Sequence, residues 1–144
     1  SRLRCDAEDQ FIQDFENAKK NIIITCRTFG CNWHPDYGVN WFNDTVKFLN
    51  KIGVAINIIS EVNPPKDMQE LITSGKIIFK KSEHLPFVGH FIDNKIIDIS
   101  FDKRYSGLTP AGNYWRTEHA MPDLIEMFED AIFSSISYIP EQLT

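Results

Sequence analysis

The chain has 144 residues, 42% of them hydrophobic and 12% aromatic, with eleven Phe. That composition fits one packed domain and excludes global disorder. A net charge of −5, with basic residues scattered as Lys19-Lys20, Lys80-Lys81 and Lys103-Arg104, leaves no electrostatic footprint for nucleic-acid binding by this domain alone.

No apolar run approaches the roughly 20 residues a membrane span needs. The three cysteines, Cys5, Cys26 and Cys31, are an odd number in a chain with a sizeable core, so reduced thiols are expected rather than a disulfide framework. The chain opens at Ser1 without a signal-peptide pattern, which predicts a cytoplasmic fragment of a longer protein.

In chain order, Asp6 to Lys20 places Phe11, Ile12, Phe15 and Ala18 at helical spacing, with acidic residues leading and lysines closing. Asn21 to Cys26 is a short β-branched run, the pattern of a buried strand. Residues 27–38 contain two Gly and one Pro and read as a loop. Val39 to Ile52 predicts a second helix stopped by Gly53, and Val54 to Ile59 a second strand.

Asn63-Pro64-Pro65 breaks the chain before a short helix over Asp67–Thr73 and a third strand over Lys76–Phe79. Two apolar arms, Phe87–Asp93 and Lys95–Phe101, meet at Asp93-Asn94 and predict a hairpin. Residues 102–119 hold Gly107, Pro110 and Gly112 and read as an ordered loop. Pro122 starts a final helix expected to reach about Tyr138 and to end at Pro140.

Helices alternating with strands predict a three-layer α/β domain over 1–144. Its mixed sheet would join parallel βαβ units, with right-handed crossovers, to an antiparallel hairpin.

No Gly-x-Gly-x-x-Gly, phosphate-binding loop or Gly-x-Ser-x-Gly elbow is present, so nucleotide cofactors and that serine chemistry are not indicated. Cys26, Cys31 and His34 lie at and beyond the carboxyl end of the first strand, where open sheets take ligands. Their C-x4-C-x2-H spacing matches no strong zinc signature, and a core role for Cys26 is favoured. The reading calls for no metal and no cofactor.

Trp33, Tyr37, Trp41, Tyr105, Tyr114 and Trp115, with Arg27, Arg104 and Arg116 close in sequence, suit either a small organic ligand or a cap on the core. Asp93 is a turn residue; Asp98 and Asp102 are expected as solvated strand-edge charges.

The element order and residues 84–101 resemble one half of a phospholipase D-like fold. In that family's enzymes a His-x-Lys motif opens the hairpin, an acidic residue follows, and a Gly-Ser pair lies on the return strand. The histidine is the nucleophile and the lysine binds the phosphate. Here His84 matches the histidine, but Pro86 stands at the lysine position, and starting from His90 puts Ile92 there. Asp93 sits two residues late, and Asp98 and Ser100 match the end of the motif loosely.

A phosphoryl oxyanion without its lysine loses its main cationic partner, which argues against catalysis. The pattern Ala18–Ile24, Val39–Ile52, Gly53-Val54, residues 86–101 and Asp123–Phe133 is similar to the effector domains of archaeal regulators of the TrmB type. That resemblance implies a non-enzymatic domain that senses a small ligand and forms a homodimer, with any DNA-binding module outside this chain.

The residues expected to converge on the ligand are Arg27, Trp33, His34, His84, Arg116 and His119. A divergent phosphodiesterase or nuclease using His84 or His90, and a module that docks a protein partner, are the alternatives.

Overall fold

The computed structural model describes residues 2–31, 35–101 and 114–138. Helix α1 (Arg2–Glu16) leads into strand β1 (Asn21–Cys26), helix α2 (Val39–Lys51) and strand β2 (Ala55–Ser60). A 3-10 turn at Lys66–Met68 precedes helix α3 (Gln69–Thr73). Strands β3 (Ile78–Lys81), β4 (Phe87–Ile92), β5 (Ile96–Phe101) and β6 (Tyr114–Thr117) follow, then helix α4 (Pro122–Ser134) and strand β7 (Ile136–Ser137).

Local chemistry explains most of the boundaries. α1 stops at Glu16 instead of reaching Lys20 because Asp93 captures the next backbone donors. Its carboxylate accepts the N–H groups of Lys19 at 3.1 Å, Lys20 at 2.7 Å and Asn21 at 3.2 Å. Gly53, at φ +94°, provides the left-handed turn that ends α2 and starts the run into β2. At the hairpin tip Asp93 and Asn94 both have φ +57°, and the Lys95 N–H closes this left-handed turn on the Ile92 carbonyl at 3.0 Å.

Among the described residues the sheet has seven strands in the order β6-β5-β4-β1-β2-β3-β7. β1, β2 and β3 are parallel, whereas β4, β5, β6 and β7 join antiparallel to their neighbours. The expected mixed α/β sheet is therefore present.

Two segments correct the sequence reading. Tyr114–Thr117 is a strand, not loop, because its residues lie in register with Ile97–Ser100 of β5. The last helix stops at Ser134, and Ile136 and Ser137 turn back to pair with Lys81 and Lys80. The expected helix end at Pro140 lies outside the described residues.

Each sheet face buries its own core. On one face Phe15 of α1, Phe42, Val46 and Leu49 of α2, and Met68 just before α3 cover Ile22, Ile24, Ile56, Ile58, Phe79 and Ile92. On the other, Phe128 and Ala131 of α4 cover Ile59, Phe87, Phe91, Ile97 and Ile99. Alternate residues of each strand thus meet opposite helical layers, as a sheet with both faces covered requires. No helix among the described residues is long and apolar enough to cross a membrane.

Candidate functional site

Two polar assemblies stand out from this apolar frame. The first lies at the carboxyl edge of the sheet. Arg27 directly follows β1, Glu61 follows β2, Lys81 ends β3, and His84 and Leu85 lead into β4. Cys26 and Ser60 are register partners, and β4 runs antiparallel to β1, so all four segments meet at one end. β1 here has neighbours from two different parts of the chain, the position at which open α/β sheets take ligands.

Glu61 ties this edge together. Its Oε2 accepts from Arg27 Nε at 3.0 Å and its Oε1 from the Leu85 N–H at 3.0 Å. His84 Nδ1 lies 4.0 Å from the same Oε1. The Glu61 carbonyl accepts from Lys81 Nζ at 2.9 Å, and its N–H donates to the Cys26 carbonyl at 3.2 Å. A second Arg27 nitrogen donates to the Leu85 carbonyl, so the guanidinium is clamped across the gap between β1 and β4.

The Glu61 side chain is 16% exposed and that of His84 53%. The edge therefore offers water an imidazole and parts of two cations on a fixed framework.

The second assembly sits beneath α1. His90 of β4 and Asp98 of β5 are register partners, and Arg116 of β6 pairs with Asp98 in turn. Asp14 of α1 faces them: its Oδ2 is 2.8 Å from His90 Nε2, and both of its oxygens accept from Arg116. Arg116 also lies 3.5 Å from Asp98 Oδ2 and 3.6 Å from Glu118 Oε1. Asp14, His90 and Asp98 are all buried.

Burial alone would raise the Asp14 carboxyl pKa. The hydrogen bonds from His90 and Arg116, with the electrostatic pull of the same two side chains, outweigh it and hold the group below the usual carboxylate value. Asp98 is therefore not the solvated edge charge expected from its place in the sequence.

Potential ligand atoms of Asp14, His90 and Asp98 come within 4.8 Å of one another, a donor set that suits a divalent ion. The Arg116 guanidinium already faces both carboxylates and supplies the compensating charge.

The expected ligand residues are distributed accordingly. Arg27 and His84 come together through Glu61, a residue the sequence did not single out. Arg116 lies in the middle of β6, in the assembly under α1. His119 follows β6 at the opposite edge, beside the hairpin tip, where the Ala120 N–H donates to the Lys95 carbonyl at 3.0 Å. Trp33 and His34 lie outside the described residues, as do Asp102, Arg104 and Tyr105.

Cys26 is buried, and that burial pushes its thiol pKa up to about 12, with a hydrogen bond from Ser60 partly opposing. It is thus a core residue and a poor thiolate donor. Trp41 and Tyr37 pack edge to face at 5.3 Å, and Trp41 joins Phe11 and Phe15 over the core, which makes it part of the hydrophobic cap.

Solved structures share this fold. TrmBL2, an archaeal chromatin protein whose structure shows a novel mode of DNA binding, matches with a TM-score of 0.69 and 11% identity. The match covers 92% of this chain and 51% of that one; the present chain thus spans about half the length of TrmBL2. NucT from Helicobacter pylori matches with a TM-score of 0.60 and 15% identity, over 94% of this chain and 92% of that one. Nuc from Salmonella typhimurium, a phospholipase D family member, gives 0.55 and 17%, over 90% and 89%.

The fold is phospholipase D-like. No family model matches the chain, and no curated protein matches it by sequence. One expectation is overturned. The phospholipase D-like neighbours include enzymes, among them a phosphatidylserine synthase from Haemophilus influenzae with a TM-score of 0.55 and 13% identity, over 90% of this chain and 36% of that one. The expectation of a domain without enzymatic activity does not survive that finding. The resemblance to regulators was carried by apolar positions, which report the phospholipase D-like scaffold that regulators and enzymes have in common.

Proposed function

We propose that this phospholipase D-like chain is a single regulatory domain of a longer protein and senses a small molecule at the carboxyl edge of its sheet. The observation that carries the reading is the Arg27–Glu61–His84 constellation: polar, partly open to water, and held by groups from β1, β2 and the β3–β4 connection. A site built on strand ends is preorganised, so little ordering cost opposes binding. The TrmBL2 likeness supports a domain of this fold acting within a longer chain.

The domain forms a homodimer whose arrangement the ligand biases, and the ligand acts by its differential affinity for the two arrangements. The test is a panel of candidate metabolites scored by thermal unfolding, since a compound that binds only the native state raises Tm. At least one positive shift is expected, and it should be lost in Arg27→Met. A broad panel without any shift would sink the proposal.

A second reading is favoured by a different observation. His84 enters the hairpin at the place where phospholipase D family enzymes carry their nucleophile, and it has a carboxylate at its Nδ1 side. In this reading the His84 imidazole attacks the phosphorus of a phosphodiester, forming a phosphohistidine as the bond to the departing alkoxide breaks and that alkoxide takes up a proton. Arg27 and Lys81, both bound to Glu61, would supply positive charge in place of the missing lysine. Turnover of bis(p-nitrophenyl) phosphate or single-stranded DNA, abolished by His84→Ala, is its expected result. Turnover that survives the change removes His84 from that role.

A further inference from the structure

We infer that Glu61 is a positioning residue that fixes the orientation and protonation pattern of His84 and holds Arg27 in place at the carboxyl edge; this rests on reading that edge as the functional site. Glu61 is held at both ends. Its backbone N–H is bonded to the Cys26 carbonyl at 3.2 Å and its own carbonyl takes Lys81 Nζ at 2.9 Å. The side chain is divided between two tasks.

Oε2 takes Arg27 Nε at 3.0 Å, while Oε1 takes the Leu85 N–H at 3.0 Å and faces His84 Nδ1 at 4.0 Å. The bond to Leu85 anchors the backbone next to His84, so the imidazole is carried on a tethered segment. His84 gains a further local hold from Ser82, whose hydroxyl donates to the His84 carbonyl at 3.3 Å.

A carboxylate 4.0 Å from one ring nitrogen is at ion-pair range, not hydrogen-bond range. At that separation it still favours a proton on the nitrogen that faces it, because the largely screened side chain keeps part of its field. In neutral His84 the proton belongs on Nδ1. Glu61 thereby sets which ring nitrogen keeps its lone pair, the property on which ligand recognition or nucleophilic attack by an imidazole depends. A residue that only held the fold together would leave this choice unaffected.

The test is a long-range proton–nitrogen NMR spectrum of the folded protein with its histidine nitrogens labelled, recorded without any ligand in alkaline solution. The Nδ1–H form of His84 is expected to predominate in wild type and to give way to Nε2–H in Glu61→Gln. Glu83→Gln, a change at an exposed neighbouring carboxylate, should leave it in place.

Predominance of Nε2–H in the wild-type protein overturns the inference at once, even if Glu61→Gln fails to fold. An unchanged ratio in folded Glu61→Gln overturns it as well. Since no ligand is present, a silent metabolite panel would defeat the sensing proposal without touching this result, and the reverse also holds.

Discussion

Replacing Arg116 with Met tests the assembly under α1. The substitution keeps a long side chain against the sheet but removes the guanidinium that contacts both Asp14 oxygens and approaches Asp98 Oδ2 to 3.5 Å. Both carboxylates are buried, and Arg116 is itself only 18% exposed. Removing one partner from such a set leaves uncompensated charge in a poor solvent, at a cost of about 3 kcal/mol. Asp14 retains His90 at 2.8 Å and Gln10 at 3.2 Å, which places the loss at the lower end of the range.

For a chain of this length that corresponds to a Tm lower by about 10 °C. The deficit should shrink as pH falls from 7 toward 5, because the abandoned carboxylates take up protons in the folded variant. Asp14→Asn added to Arg116→Met should recover part of the loss. Urea unfolding of the four proteins of the double-mutant cycle at both pH values measures all three effects. A loss below about 1 kcal/mol, or one that does not change with pH, would refute the view that this buried network is charge-balanced by Arg116.

Other outcomes follow from single sites. Asp93→Ala removes an acceptor shared by three consecutive N–H groups and should cost about 1–3 kcal/mol in urea unfolding. Gly89→Ala would place a methyl 2.1 Å from the Asp98 carbonyl oxygen, so a loss of about 2 kcal/mol or a shifted hairpin is expected. Asp14 has a folded-state carboxyl pKa below its ordinary value of 3.8, so the unfolded chain protonates first on acidification. The stabilisation it gives is full above the unfolded value and is lost as pH falls through the folded one; Asp14→Asn should flatten that part of the acid limb. Cys26, with its thiol pushed up to about 12, should resist alkylation at pH 8 until the protein unfolds, as peptide mapping can show.

Much of the fold was legible because it is written locally. The β-branched runs at Asn21–Cys26 and Ala55–Ser60, the glycine stop at Gly53 and the Asp93-Asn94 turn each carry their own signal. β6 did not, since its four residues follow a segment with loop composition and form a strand only because β5 offers an edge. Ile136 likewise continues an apolar helical spacing, and only its pairing with Lys81 makes it a strand.

The site was less legible for the same reason. Arg27 and His84 could be picked out as polar groups near strand ends, but Glu61, which joins them, has no motif of its own. Asp14 read as one of several acids on an amphipathic helix. His90 and Arg116, which it meets, are 76 and 102 positions away, and nothing local reports them. His119 is expected from the sequence to converge with the other ligand residues, yet β6 delivers it to the opposite edge of the sheet.

The most direct test of the carboxyl edge as the functional site is a hydrogen-exchange footprint taken with whichever compound of the metabolite panel raises Tm most. Protection is expected in the peptides carrying Arg27, Glu61 and Lys81–Leu85, and should be absent in Arg27→Met. Protection confined to the Lys95 and His119 end of the sheet, or unchanged in that variant, would contradict the account.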